Sequence, residues 1–477
     1  MKYNRRNFLK SASVISGAAA VGLPALASAR VKNNERYEIV SQTVANTPQR
    51  FNMCGYAAPK IDKVRIGFIG LGQRGPGAVQ RISHIEGVEI KALCDKVPEK
   101  VARTQERLVK AGLPKAKEYS GDDGWKAMID NEDLDLVYIC TPWDLHTPMS
   151  LYAMRAGKHA ACEIPIALTL DECWELVETS ENTRTHCMML ENCCYDFFEM
   201  LTLNMVRHGL FGEILHAEGA YIHDLLDLNF RKEGGYQDMW RLQQNILQNG
   251  NLYPMHGLGP SAQCLDINRG DKMSHLVSMS TDDFHMGARA RELAKEDEFF
   301  EEYVGRNYRG NMNTMLIRTE NGKTMMLQHD VTSPRPYSRI HLLSGTKGFA
   351  SKYPGPERVA FGHSWVSKEE LDELREKYTP ELVTHVGEVA KKIGGHGGMD
   401  FMMDWRLIDC LRNGLPLDMD VYDGALWSAV IPLSDGAVQR HSKTVDIPDF
   451  SRGAWRTNKP LNLTLEGGGT TGVRQTS

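Results

Sequence analysis

At 477 residues, 42% hydrophobic and 25% charged, the chain is long enough for two or three domains around a substantial core. Its formal net charge of −5 argues against nucleic acid or anionic lipid as a partner, since both select basic surfaces. The first segment is Asn4-Arg5-Arg6-Asn7-Phe8-Leu9-Lys10, an apolar, alanine-rich run to Leu26, and the small triplet Ala27-Ser28-Ala29. That order is the pattern of a twin-arginine export signal with its cleavage site. The apolar run is too short, and its side chains too small, for a membrane span. Residues 1–29 are therefore expected to be an address that carries a folded protein out of the cytoplasm, into the periplasm, without stable insertion in the membrane. Loss of Lys2, Arg5, Arg6 and Lys10 with this leader makes the remaining chain more acidic. Residues 30–60 follow as an N-terminal arm.

The segment 61–190 reads as a nucleotide-binding domain. Val64 to Ile69 is a short apolar strand that enters Gly70-Leu71-Gly72-Gln73-Arg74-Gly75. Gly70, Gly72 and Gly75 have the G-x-G-x-x-G spacing, in which glycines allow a tight turn, close approach of a pyrophosphate, and packing of the next helix on the strand. The helix start beyond them offers free N–H groups to phosphates. A second strand, Val88 to Cys94, delivers Asp95, where an acid accepts hydrogen bonds from ribose hydroxyls and repels a 2′-phosphate; NAD is thus favoured over NADP. The competing reading is a glycine loop in an ordinary α/β domain, with Asp95 as a helix cap. Leu134 to Cys140 is a further buried-strand run ending at Thr141-Pro142, followed by Trp143-Asp144-Leu145-His146, a helical segment, and a strand at His159 to Cys162. Strands alternating with helices at this spacing imply a parallel, doubly wound Rossmann sheet.

Here the chain resembles the Gfo/Idh/MocA family of oxidoreductase-like proteins, through the glycine fingerprint, the T-P turn with its downstream His146, and the strand into Glu163-Ile164-Pro165. In that family the last motif is usually E-K-P, and its lysine touches nicotinamide and substrate. Ile164 stands in the lysine's place, which removes a proton-transfer group used by the family's dehydrogenases.

Residues 191–420 read as a second α/β domain with a mostly antiparallel sheet, from strand-like stretches at Ile214 to His223, Met315 to Thr319 and Thr324 to His329. Glu191-Asn192-Cys193-Cys194-Tyr195, Trp240-Arg241, the run from Asn251 to Pro260 and Gly394-Gly395-His396-Gly397-Gly398-Met399-Asp400 together resemble glycoside hydrolase family 109, NAD-dependent enzymes known chiefly as α-N-acetylgalactosaminidases. The resemblance implies that Gln73, Arg74, Asp95, Trp143, Asp144, Leu145, His146, Glu163, Ile164 and Asn192 contact NAD. It also implies that Tyr221, Arg241, Tyr253, Pro254, Met255, His256 and Tyr337 line a sugar site. The residue types suit this: tyrosine offers a pyranose both a face and a hydroxyl, and arginine offers fixed donors. His256 and Tyr253 are the candidates for proton transfer, since imidazole titrates near neutrality and a tyrosine can relay a proton. His256 sits in a glycine-rich turn, where the backbone could approach a ligand closely. His223 should share a strand face with Tyr221. His396 is equally readable as a site residue or a loop lock.

Charge alternation over Lys368 to Lys377, and around Glu292 to Glu302, reads as solvated helix faces. Residues 421–457 form a C-terminal helix and return segment, expected to pack near the nucleotide domain, and 458–477 a frayed tail. Ten cysteines, three of them in apolar strands and two adjacent, fit a buried, reduced state. The absence of C-x-x-C and H-x-x-x-H spacing gives no expectation of a metal.

An exported protein meets little free NAD, so the resemblance favours a redox-neutral glycosidase cycle over net oxidation. The alternative is an exported sugar oxidoreductase with a tightly held nucleotide; a sugar-binding protein with a vestigial site is the third reading. The partner is a glycoside or glycan in each case, and a homo-oligomer is compatible with the sequence.

Overall fold

A computed structural model describes residues 48–474. The leader, residues 30–47 of the arm and the last three residues lie outside the described part. Among the described residues two sheets form. The first holds β1 (Val64–Ile69), β2 (Val88–Asp95), β3 (Lys117–Ser120), β4 (Leu136–Ile139), β5 (His159–Cys162) and β6 (Cys187–Met189), all parallel, in the order β3-β2-β1-β4-β5-β6. Its inner strands, β4 above all, are apolar and buried because helices cover both faces, whereas the edge strand β3 is polar and exposed. The order reverses between β1 and β4, and a crevice at the carboxyl ends of the strands is where such sheets take ligands.

The second sheet contains β7 (Ile214–Ile222), β8 (Met273–Ser280), β9 (Asn313–Thr319), β10 (Thr324–Asp330), β11 (Leu342–Gly345), β12 (Phe349–Ser351), β13 (Arg358–Phe361), β14 (Ser364–Trp365) and β15 (Val445–Asp446). Their order is β14-β13-β12-β11-β7-β10-β9-β8-β15, antiparallel except for β7 against β10. Strand β9 alternates buried Met315 and Ile317 with exposed Leu316 and Arg318, as a sheet with one covered face requires. The edge strand β15 comes from the return segment, so this sheet draws on chain beyond residue 420.

The helix Val421–Gln439 joins the two halves. It packs on the helix Leu170–Thr183 and β6 on one side and on β8 on the other, and is buried nearly all round, which matches its run of apolar and small residues. Asp420 caps it in a reciprocal box with Asp423, and both carboxylates bind Arg269, whose Nη2 lies 3.0 Å from Asp420 and 2.7 Å from Asp423.

The expectation of a frayed tail is corrected. Asp409 accepts the Gly469 and Thr471 N–H groups, Trp405 Nε1 donates to the Thr471 carbonyl at 3.0 Å, and Val473 pairs with Ile85. Glycine-rich sequence here supplies left-handed turns at Gly467 and Gly469 that fold the chain end back on the protein. All ten cysteines are free, eight of them buried. No helix among the described residues is long and apolar enough to cross a membrane.

Candidate active site

The three fingerprint glycines have three different reasons to be glycine. Gly70 has φ +89°, and a Cβ there would lie 2.6 Å from the Cys140 carbonyl carbon, so it permits the tight passage of β1 beside β4. A Cβ on Gly75 would overlap the Gly70 carbonyl oxygen, so Gly75 lets its helix close on the turn. Around Gly72 nothing lies within 4 Å of the Cβ position, which leaves an exposed hollow in the loop. The helix Gly75–Ser83 that follows has no side-chain cap and no acid in its first turn, so its N–H groups remain available to an anion. These features fit a bound dinucleotide pyrophosphate.

The other cofactor candidates stand at the carboxyl ends of the same strands. Asp95 ends β2 and accepts the Leu71 N–H at 2.6 Å and the Val97 N–H at 2.9 Å; it braces the glycine loop, and each oxygen keeps a second lone pair. Trp143, Asp144 and Leu145 form the turn after β4, with Trp143 buried and the other two exposed. Glu163 and the buried Ile164 follow β5, and Asn192 follows β6. Gln73 is exposed on the loop. His146, expected to contact NAD, has its ring nitrogens 2.6 Å from the Pro165 carbonyl and 2.7 Å from the Thr141 carbonyl, so the ring ties two loops together. Burial lowers its pKa.

Arg74 binds Glu163 through Nε at 2.9 Å and Asp400 through Nη1 at 3.1 Å. Asp400 also takes a short hydrogen bond from Asn192 Nδ2 and lies 2.9 Å from His396 Nδ1. Burial alone would raise the Asp400 pKa, but the His396 hydrogen bond and the charges of Arg74 and Arg81 hold it far below the usual carboxylate range. Asp400 was not singled out by the sequence, although it closes the glycine-rich motif that carries His396. That histidine is half exposed in a left-handed conformation, φ 48°, and locks its loop to Arg74.

Beside this network lies an aromatic box. Tyr253 stacks on Trp143 with centroids 5.6 Å apart, and Tyr221 lies 4.7 Å from Tyr253 and 5.2 Å from His256. The Arg241 guanidinium sits 4.7 Å from the Tyr253 ring and 5.2 Å from that of Trp143, with Nη1 donating to the Tyr236 hydroxyl at 2.8 Å. Tyr337, 38% exposed, stands 6.3 Å from Tyr221 at the mouth, with His223 5.1 Å away. His223 does share the face of Tyr221, whose hydroxyl lies 3.0 Å from its Nδ1. Burial pushes the Tyr221 hydroxyl up to about 12 and that of Tyr253 well above the usual value, although Arg241 opposes both shifts.

The expected glycine-rich turn at His256 is instead the first turn of the helix Met255–Cys264, with Pro254 before it. A Cβ on Gly257 would come 2.6 Å from the Gly219 carbonyl carbon of β7, and one on Gly259 would come 2.9 Å from Cys194 Sγ and 3.1 Å from Glu191 Cγ. Those glycines serve close packing inside the protein, and they bring the helix onto Glu191. Met255 is likewise corrected, since its side chain is fully buried in the core rather than in the sugar site. His256 Nδ1 lies 2.7 Å from Glu191 Oε1. A carboxylate can only accept, so Nδ1 carries a proton, and in the neutral ring the lone pair is then on Nε2. Glu191 heads the motif that runs to Tyr195, but the sequence assigns it no role, because its partner is 65 residues away.

Comparison with known proteins agrees with this geometry. Residues 64–190 match the oxidoreductase family with an NAD-binding Rossmann fold, and residues 195–457 match the C-terminal domain of glycosyl hydrolase 109. A glycosyl hydrolase family 109 protein of Porphyromonas gingivalis is 50% identical over 87% of this chain and 90% of its own. The α-N-acetylgalactosaminidase of Bacteroides fragilis is 49% identical over 86% of this chain and 97% of its own. Among solved structures, levoglucosan dehydrogenase in complex with NADH and L-sorbose shares the fold, with a TM-score of 0.62 at 19% identity over 82% of this chain and all of that one. A Gfo/Idh/MocA nucleotide domain joined to a second domain of this type, with NAD as cofactor, makes the chain a member of glycosyl hydrolase family 109, an NAD-dependent glycosidase.

Proposed function

We propose that the protein removes terminal α-N-acetylgalactosamine, or a related N-acetylhexosamine, from a glycan by oxidation at C3, elimination of the C1 substituent, addition of water and reduction. The observation that carries this reading is the His256–Glu191 pair opening on a box of Tyr221, Tyr253 and Arg241 that is stacked against Trp143 of the nucleotide domain. NAD, held by the glycine loop and Asp95, would supply a hydride acceptor and donor for C3. A C3 ketone acidifies the neighbouring C2 proton, and His256, with its Nε2 lone pair held outward by Glu191, is the group to take that proton. Tyr253 stays protonated because burial disfavours its phenolate, which suits it to donate a hydrogen bond or relay a proton. Arg241 fixes the sugar's hydroxyl or amide oxygens, and the tyrosine faces exclude water. No pair of carboxylates flanking the glycosidic bond is needed, unlike the usual glycosidase arrangement. Aglycone release from chromogenic α-N-acetylgalactosaminide, without added NAD, is the test; silence with all α- and β-N-acetylhexosaminides would reject the reading.

Two further outcomes are expected. Turnover in D₂O should place deuterium on C2 of the released sugar, read by NMR; a product with hydrogen at C2 after normal turnover would exclude elimination. The purified protein should carry NAD(H), since a 2′-phosphate would meet the Asp95 carboxylate at the end of β2. Mass spectrometry of the denatured supernatant showing mainly NADP(H) would overturn that.

Export by the twin-arginine route to the periplasm is part of the same proposal. It is supported by the Arg5-Arg6 leader and by ten unpaired cysteines, as befits a chain that folds and takes up its cofactor in a reducing compartment before transport.

A further inference from the structure

Glu191, Cys193 and His256 meet at one point although the sequence separates them into two motifs. Glu191 leaves β6, Cys193 lies in the turn Asn192–Tyr195, and the helix bearing His256 packs against that turn. One ligand atom from each lies within 4.8 Å of the others. Glu191 Oε1 takes both the His256 ring and the Cys193 N–H at 2.9 Å, while Oε2 is buried with no partner. The Cys193 thiol has only a weak contact, 3.5 Å to Asn192 Oδ1. A buried carboxylate oxygen without a partner is costly, and here it stands beside a thiol and an imidazole.

We propose that Glu191, Cys193 and His256 form a binding site for a thiophilic divalent cation, zinc in the first instance, and that the bound cation switches the enzyme off. Sulfur, nitrogen and oxygen from three side chains, with a fourth position open to water, is a donor set that zinc takes; side-chain rotation brings the three atoms to the roughly 3–4 Å separations of a tetrahedral site. The thiolate disfavours magnesium and calcium, which prefer all-oxygen sites. Binding breaks the S–H bond of Cys193, releases that proton to solvent and forms a metal–sulfur bond, with the imidazole bound as the neutral ring. A thiolate, a carboxylate and a divalent cation sum to zero charge, which suits a buried position. The cation enters past His256, which lies at the wall of the sugar box, and it removes both the imidazole and its carboxylate from proton transfer. Only this inhibitory consequence rests on the proposed function.

Cadmium titration of the purified, NAD-loaded protein tests the site by the ultraviolet charge-transfer absorption of a cadmium–thiolate bond, whether or not a sugar substrate is turned over. The expected result is a rise that saturates at one equivalent, is reversed by zinc, and is lost in Cys193→Ser. Absence of the rise, or its persistence in the serine variant, would overturn the proposal. His256→Gln provides a second measurement independent of Cys193, with cadmium affinity expected to fall at least about tenfold; unchanged affinity would also overturn it. In the glycosidase assay, zinc should inhibit the unmodified protein reversibly with EDTA, whereas Cys193→Ser, which takes no part in the proton transfers, should need at least about ten times more zinc for the same loss. Equal zinc sensitivity of the two proteins would refute the switch.

Discussion

His256→Ala is expected to lower kcat by at least about 100-fold while the protein remains folded and retains its NAD. The imidazole occupies the first turn of a helix whose position is set by Gly257 against β7 and Gly259 against Glu191, so removing the ring leaves the helix in place. It does leave the Glu191 carboxylate, now buried with only the Cys193 N–H, short of a partner. A stability loss of about 1–3 kcal/mol is therefore expected beside the kinetic one. The two effects separate experimentally because the nucleotide loop is built from other strands. Measuring kcat, melting temperature and NAD content on one preparation decides the matter: near-normal kcat with a lowered melting temperature would reduce His256 to a helix lock. Glu191→Gln sharpens the test, since the amide can still accept from Nδ1 and hold the ring, yet carries no charge.

Gly72→Val should abolish cofactor retention, with affinity for NAD falling by at least about 100-fold, or roughly 2.7 kcal/mol. Gly72 has no positive φ, and no protein atom lies within 4 Å of the place its Cβ would occupy. Valine there strains nothing in the protein, and its branched side chain fills the hollow into which a pyrophosphate would settle. The melting temperature of nucleotide-free protein should be unchanged. Gly75→Val provides the contrast, because its side chain would collide with the Gly70 carbonyl and should damage the fold itself. Stoichiometric NAD in purified Gly72→Val protein would show that the hollow does not hold the diphosphate.

The nucleotide half was legible because its chemistry is local: a strand, a glycine turn with fixed spacing and an acid at the end of the next strand lie within about thirty residues. The aromatic and basic members of the sugar box were legible through motif resemblance, and they do converge, with Trp143, Tyr221, Arg241 and Tyr253 within ring contact. What escaped was whatever depends on pairing across long stretches of chain. The glycines after His256 look like a loop in sequence because their partners, Gly219 and Glu191, are far away; once those are packed beside them, the same residues are the ones that fit a helix at close range. Glu191 and Asp400 escaped for the same reason, each acting on residues of another motif. Met255 was read as a sugar contact together with its neighbours, but in a helix adjacent residues face different ways, and its side chain is buried in the core.

The return of the chain's end to Ile85 also bears on synthesis. Val473 pairs with Ile85, the Gly472 carbonyl accepts the Glu86 N–H, and the Arg474 guanidinium reaches the Ser83 carbonyl at the end of the first helix after the glycine loop. The nucleotide sheet emerges from the ribosome hundreds of residues before the strap that covers the end of its first helix. That half is therefore completed only once the strap has been made, and a chain cut short before Gly467 would leave Ile85, completely buried in this structure, uncovered for quality control to recognise.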